Sequence, residues 1–474
     1  MASPSSGSPN PQGSNQDRLP SDVSPKVPPL DSSSLTLFLT GFKRDFVVPH
    51  TLGALQRHEQ SVNDQLTFNS GNTSSSNVRV AEEFGFLRLM PRDVAALYNE
   101  QMTALDRALL AREKEIAEGP QNPLFEDVVL VAGPGSNLMG RKIAACLGVS
   151  LGHYKVYDFS DGERKVEFTD NVRNKHVIVI NSTHYPQHQH LNDLELMLDA
   201  LKRASTKEIS LVMPYFGYAR QDRKETERVP ITAAAIMRRI ERNEKVARII
   251  TLEPHNPAMS GFFDRAVDFV FGSSVMLPVI ERVLGSEIKN TKIVAPDLGA
   301  GKRAGIVKTQ LDLSGLAFLY KEHHRSGTID VQELFGDIKH LTALMLDDMI
   351  DSGVTLCEGG IKVGNSGARE IHAGAIHPVL SGQAFYRMLN SPFKNLFITD
   401  SVPVAAPVNL DPALLNGGTR TIEISVAPLF AEAITNLLVA GGSISKLRVQ
   451  FLPLEKLILP YVCRGDLAGI LGMT

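Results

Sequence analysis

The sequence predicts an α/β fold made of two similar-sized domains, each a parallel sheet flanked by helices, meeting near residue 275. Three observations predict it. Past residue 128, short apolar runs alternate with helix-length amphipathic segments, the pattern of strands joined by crossover helices. The same rhythm starts again near residue 292. The chain has 474 residues, 43% of them hydrophobic, enough to fill two cores.

Taken in order, residues 1–34 are Ser-, Pro- and Asn-rich with almost no large apolar side chain, and are expected to be a disordered arm. An extension over 35–124 begins with a strand-like stretch at 35–49. Between 91 and 118, Val94, Leu97, Tyr98, Met102, Leu105, Leu109 and Leu110 recur at helical spacing among charges, so an amphipathic helix is expected to pack on the core or on a subunit neighbour. The first domain, 125–275, has strands expected at 128–131, 177–180, 209–213 and 249–252, with helices at 138–147, 191–204 and 233–240. The second, 276–438, has strands expected at 292–295, 317–320, 344–346, 371–375 and 396–399. A tail, 439–474, follows, whose apolar stretch 454–462 is expected to pack as a strand or cover a subunit face.

Composition narrows the partners. With 49 basic and 52 acidic residues, nothing electrostatic favours a nucleic acid or a membrane surface. The three cysteines, Cys146, Cys357 and Cys463, are too few and too widely spaced for a disulfide framework or a CxxC metal site. No apolar run approaches the about 18 residues of a membrane span, and no secretory signal opens the chain. The expected setting is soluble and cytoplasmic. The tripeptide Ser445-Lys446-Leu447 is internal, whereas a peroxisomal address is read at the C-terminus.

The stretch Leu344-Met345-Leu346-Asp347-Asp348-Met349-Ile350-Asp351-Ser352-Gly353-Val354-Thr355 carries the most chemistry. A buried strand would deliver Asp347 and Asp348 to its carboxyl end, where open α/β sheets bind ligands, and carboxylates there can take hydrogen bonds from vicinal sugar hydroxyls or hold a metal. Asp351 to Thr355 would then turn into a helix N-terminus, whose free N–H groups and positive dipole end favour a phosphate. A pentose phosphate satisfies both halves. The competing reading is a strand leading to an ordinary Asp or Ser N-cap.

Upstream stand Phe159-Ser160-Asp161-Gly162-Glu163, Pro214-Tyr215-Phe216-Gly217-Tyr218-Ala219-Arg220-Gln221-Asp222-Arg223-Lys224, Pro254-His255 with Gly261-Phe262-Phe263-Asp264, and Ala295-Pro296-Asp297 with Gly301-Lys302-Arg303-Ala304. In this order, and with the Asp347 loop, they resemble the motifs of ribose-phosphate pyrophosphokinases (PRPP synthetases) from about residue 128 to 438. The resemblance implies two phosphoribosyltransferase-like domains with the active site between them, assembled into a homo-oligomer as large as a hexamer. It implies transfer of the β,γ-pyrophosphoryl group of ATP to the C1 hydroxyl of ribose 5-phosphate, giving phosphoribosyl pyrophosphate for nucleotide biosynthesis, and AMP. Such transfer relies on positioning and charge neutralisation, hence on Mg²⁺ and cationic side chains.

By the same resemblance, His255 and Asp297 match metal-site residues, joined by Glu253, Asp264 and Asp268. Phe159, Asp161 and Glu163 match contacts to the adenine end of ATP, and Arg220 and Gln221 match further nucleotide contacts. Asp347, Asp348, Asp351, Ser352, Gly353, Val354 and Thr355 match the ribose 5-phosphate loop. Lys321 matches a catalytic lysine, with His323 where the family has a second catalytic cation. Ser182-Thr183 with His184 matches a region that binds phosphate or nucleotide effectors such as ADP.

The chain departs from the family pattern in places. Glu253 replaces the usual Asp and has a longer arm. His323 is only partly charged near neutral pH, which leaves Arg325 as another cation for the role. Val354 replaces a glycine, and a β-branched residue does not readily take positive φ. His184 replaces a serine. These departures keep open a catalytically weak regulatory subunit of such an enzyme. A phosphoribosyltransferase acting on a base would explain the Asp347 loop and leave the ATP motifs idle.

Overall fold

A computed structural model describes residues 92–297, 299–323, 329–404, 418–448 and 450–457, all within the compact unit Gly71–Thr474. The expected arm at 1–34, the strand-like stretch at 35–49, Arg325 and residues 458–462 lie outside the described residues.

The first sheet has five strands in the order β1-β4-β5-β6-β7, all parallel: β1 (Val128–Ala132), β4 (His176–Ile180), β5 (Glu208–Met213), β6 (Val246–Leu252) and β7 (Ala266–Val270). Helices α2 (Asn137–Leu147), α3 (Gln187–Arg203) and α4 (Thr232–Glu241) make the crossovers. Strand side chains alternate between faces. Val177, Val179 and Leu211 thus pack with α3 and α4, whereas Ile178, Ile180 and Val212 face the opposite way. An antiparallel hairpin, β2 (Tyr154–Asp158) and β3 (Arg164–Phe168), stands outside this sheet.

The second sheet has seven strands, β10-β9-β8-β11-β12-β13-β14. They are β8 (Thr291–Ala295), β9 (Gly315–His323), β10 (Ile329–Phe335), β11 (Thr342–Ile350), β12 (Glu370–Pro378), β13 (Asn395–Thr399) and β14 (Arg420–Ile424). All pair in parallel except β9 with β10, an antiparallel hairpin. The last β8–β9 pair is Ala295 with Phe318, so Tyr320 to His323 continue past the end of β8 as an arm.

One core joins the two sheets. Ile178, Val212 and Ile250 of the first cluster with Ile293, Leu344, Phe397 and Ile422 of the second, through α5 (Ser273–Leu284) and α9 (Ala427–Leu438). Each such fully buried apolar side chain contributes roughly 1.5–3 kcal/mol. The boundary expected near residue 275 falls inside α5, whose apolar face belongs to this shared core.

Helix α1 (Arg92–Glu118) packs Leu105 and Leu109 against Ala145 of α2, and Arg141 pairs with Asp106 at 2.5 Å and Glu113 at 2.6 Å. Leu110, expected on its apolar face, is 56% exposed. It follows Leu109 by one residue, about 100° around the helix, and so turns away from the contact. In the tail, Leu452 and Leu457 join the shared core, and Leu454–Leu457 is a short helix where a strand was one expectation.

Candidate active site

The carboxyl ends of β6 and β11 meet, and the charged residues there form one network. His255 Nδ1 lies 2.7 Å from Asp348 Oδ2. Arg303, on α6 (Gly301–Gln310), reaches Asp347 at 3.1 Å, Asp348 at 3.3 Å and Glu253 at 3.8 Å. Asp348 donates its backbone N–H to Asp347 Oδ1 at 2.9 Å.

Burial and the adjacent Asp348 push the Asp347 carboxyl up. Burial also acts on Asp348, but the hydrogen bonds to His255 and Asp347 and the charge of Arg303 outweigh it and hold Asp348 well below the usual carboxylate range. The hydrogen bond to Asp348 raises His255. Burial pushes Glu253 up to about 7.

Asp351 to Thr355 form the turn into α7 (Val354–Asn365). Gly353 precedes the helix at φ +72°, and no side chain caps the first turn, which leaves its N–H groups open to an anion. Positive φ therefore falls on Gly353 and not on Val354, which is the first helical residue, so the β-branched side chain costs the loop nothing there. Asp351 accepts from the Ser381 hydroxyl at 2.5 Å, and the Ser352 carbonyl accepts from Arg387 of α8 (Ala384–Leu389).

Two predicted nucleotide residues stand beside this loop. Arg220 Nη1 is 2.8 Å from Asp351 Oδ2, and Gln221 Oε1 accepts from the Thr232 hydroxyl at 2.6 Å. Asn256 donates to Asp222 at 2.7 Å, which ties the residue after His255 to the Arg220 segment.

The other predicted residues are distributed differently. Asp297 follows β8, and its Oδ1 accepts from Ala300 N–H at 2.9 Å. Lys321 and His323 lie in the backbone of the β9 arm. Phe159 to Glu163 close the β2–β3 hairpin, with Phe159 51% exposed, and among the described residues no hydrogen bond joins them to the Asp348 network. Ser182 and Thr183 are buried, their hydroxyls accepting from Tyr215 N–H at 3.0 Å and Gly217 N–H at 2.8 Å.

The structure does not bring Asp264 and Asp268 to this edge. Asp264 precedes β7 and donates its N–H to Glu241 at the end of α4, and in a parallel sheet that is the amino edge. Asp268 is mid-strand, paired with Arg248. Glu253 is at the edge, but one carboxylate oxygen accepts from Gly272 N–H at 3.1 Å and the other faces Arg303. Sequence reasoning gave no role to Arg303 or Asp222, although both stand inside quoted motifs; a cation flanked in space by three carboxylates is visible only after β6 and β11 are joined.

Two family models match the chain: the N-terminal domain of ribose phosphate pyrophosphokinase over residues 128–243, and the phosphoribosyl transferase domain over 279–407. Ribose-phosphate pyrophosphokinase of Shewanella oneidensis is 39% identical over 309 residues, which is 65% of this chain and 95% of that protein. The chain belongs to the ribose-phosphate pyrophosphokinase family. The pyrophosphokinase of Bacillus caldolyticus is 36% identical over 299 residues, 63% of this chain and 91% of its own length. The crystal structure of phosphoribosylpyrophosphate synthetase from Mycobacterium smegmatis superimposes with a TM-score of 0.59 at 28% identity, covering 66% of this chain and 99% of that one. Of the network, Arg303, Asp347 and Asp348 lie within the second matched region, and His255 lies between the two. Among the described residues no helix is long and apolar enough to cross a membrane.

Proposed function

We propose that this chain is a ribose-phosphate diphosphokinase, transferring the pyrophosphoryl group of ATP to the C1 hydroxyl of ribose 5-phosphate. The observation that carries the reading is the junction of a sugar-type carboxylate pair, Asp347 and Asp348, with an uncapped helix N-terminus at Gly353 and a histidine, His255, from the other sheet. The sugar hydroxyls bind Asp347 and Asp348, and the 5-phosphate binds the N–H groups of Gly353 to Thr355. Arg220 and Gln221 orient the nucleotide phosphates, while Phe159, Asp161 and Glu163 take the adenine end.

Mg²⁺ fits the donors present. Among the described residues no three His, Cys, Asp or Glu side chains form a protein-only cage. Mg²⁺ usually keeps waters and binds through one or two protein groups plus substrate phosphates, which suits an ion arriving with ATP. His255 turns Nδ1 to the Asp348 carboxylate and so leaves Nε2 as the ligand, the orientation in which a carboxylate fixes a metal-binding imidazole. Asp297 supplies an oxygen. When bound, the ion neutralises charge on the transferring phosphoryl oxygens. Lys321, with His323 beside it in the β9 arm, adds positive charge to the same group as it moves.

The nucleotide motif at Phe159 lies on an exposed hairpin tip, which supports a homo-oligomer in which such tips contact neighbouring copies. We place the enzyme in the cytoplasm, with phosphate and ADP as effectors through the Ser182–His184 segment. The deciding experiment is ³¹P NMR of the purified chain with ATP, ribose 5-phosphate and Mg²⁺. Joint appearance of AMP and a new pyrophosphate ester is expected. ATP binding without reaction would replace this reading with that of a regulatory subunit.

A further inference from the structure

Glu253 is a non-glycine residue at φ +35°, immediately before Pro254-His255. Such a backbone costs about 1–3 kcal/mol and persists where its surroundings over-determine it. Those surroundings are specific. Glu253 N–H donates to Val270 O at 2.9 Å, and its carboxylate accepts from Gly272 N–H at 3.1 Å. Its carbonyl, and that of Leu252, are held from the second sheet: His377 Nε2 lies 3.1 Å from Glu253 O and 3.2 Å from Leu252 O.

Both partners of Nε2 are carbonyl oxygens, which only accept, so Nε2 carries the ring proton. Nδ1 lies 2.9 Å from the Ser401 hydroxyl, which also donates to Ile376 O at 2.9 Å. The ring is 2% exposed, with the edge of Tyr215 at 5.0 Å between centroids. The preceding residue, Ile376, closes the other side: a Cβ on Gly272 would stand 2.6 Å from Ile376 Cδ1. Two consecutive residues at the end of β12 therefore seat Glu253 through its backbone and through the glycine that binds its side chain.

We propose that His377 is a positioning residue for pyrophosphoryl transfer, fixing the Leu252–Glu253 backbone so that His255 is delivered to Asp348 across the junction of the two sheets. This rests on the function proposed above. Among the described residues no side-chain hydrogen bond joins His377 to the Asp351–Thr355 loop, and it reaches the sugar side through His255 and Asp348. Misplacement of a reacting group by about 1 Å can cost about 100-fold in rate.

The test compares His377→Leu, which removes the donor, with His377→Gln, whose amide NH₂ can still donate to the two carbonyls. Turnover and both KM values are measured on the full chain, together with deuterium exchange of segment 251–256 without ligands. For His377→Leu, kcat is expected to fall about 10- to 100-fold with the ribose 5-phosphate KM changing less than kcat, and exchange in 251–256 to quicken. His377→Gln should recover most of both. Unchanged exchange in 251–256, turnover within about twofold of wild type, or a folded Gln variant no better than Leu would each overturn the proposal. If the Leu variant loosens both sheets, the Gln variant decides: near wild-type turnover and exchange of 251–256 support the proposal, and loss of both in a folded Gln variant overturns it. A wild-type chain that forms no product would sink the proposed function, and the exchange of 251–256 would still decide the role of His377.

Discussion

Arg220 Nη1 lies 2.8 Å from Asp351 Oδ2, an ion pair linking the loop after β5 to the loop after β11. The arginine proposed for ATP is thus paired with the aspartate proposed for the sugar phosphate. Both side chains are partly exposed, 54% and 31%, so the pair contributes less than about 1 kcal/mol to stability. Its meaning lies in substrate binding.

Asp351→Ala is therefore expected to raise the KM for ribose 5-phosphate about tenfold, the cost of about 1.4 kcal/mol of lost loop order, with Arg220 freed and the ATP KM little changed. Steady-state kinetics with each substrate varied in turn check it. An unchanged sugar KM would move the sugar site away from this loop.

The pH response of His255 follows from its partner. The Asp348 hydrogen bond raises the imidazole above its usual value, so protonation, which blocks Nε2 from any metal, persists to higher pH than for a free histidine. Asp348→Asn removes the anion and should move the His255 titration to lower pH, read by NMR of the ligand-free chain. The hydrogen-bonded charge pair also favours folding. The His255 share of that stability is complete at low pH and lost as pH rises through its raised folded value; the Asp348 share is present near neutrality and lost as pH falls toward its depressed one. A titration identical in wild type and Asp348→Asn would mean that the two residues do not touch in solution.

Much of this site was legible because it sits where sequence pattern is strongest. The parallel strands are short apolar runs, and Asp347, Asp348 and His255 follow two of them directly, so strand ends and chemistry are marked together. What failed was pairing information. The β2–β3 hairpin, β7, β10 and β14 mix charged and apolar residues, and none is a continuous apolar run. Asp264 reads as an active-site acid beside Phe262-Phe263, and only the parallel pairing of β7 with β6 puts it at the opposite edge. The concern over Val354 dissolved for a local reason: Gly353 takes the positive φ one residue earlier.

Two of the three cysteines should be silent. Burial pushes the thiols of Cys146 and Cys357 up to about 12. At pH 8 almost no thiolate forms at either, and thiolate is the reactive species. Native protein should therefore show no more than one thiol, that of Cys463, in a DTNB assay, and three after denaturation. The linkage runs toward instability in alkali: the unfolded chain loses these protons near the ordinary thiol value, so stability falls as pH rises from there toward 12. Rapid native labelling of two or three thiols would show that α2 or α7 opens readily.

Lys321→Ala should reduce kcat far more than ATP affinity, because the role proposed for it places its charge on the phosphoryl group as that group moves and less in the bound ground state. A loss of at least about 100-fold in kcat, the scale of one missing electrostatic contact, is expected with the ATP dissociation constant within about threefold. Equal losses in both would make the lysine a ground-state contact only.

Lys142 of α2 and Asp400 after β13, 258 residues apart, form a buried ion pair of 2.6 Å with side chains 3% and 7% exposed. Asp400 also accepts from Val426 N–H at 2.8 Å and from the Ser425 hydroxyl at 2.7 Å, so it holds the start of α9 as well as α2. Both helices line the core shared by the two sheets. Lys142→Met leaves a buried carboxylate with two neutral donors and no counter-charge, and breaking one side of such a pair costs about 3–5 kcal/mol. Urea unfolding should show that loss in the midpoint with the slope unchanged. Lys142→Met/Asp400→Asn should recover part of it, because the amide still accepts from Val426 and no longer carries an unpaired charge. A single-variant loss below about 1 kcal/mol would mean that water reaches the pair, and that the joint between the two sheets is held by apolar packing alone.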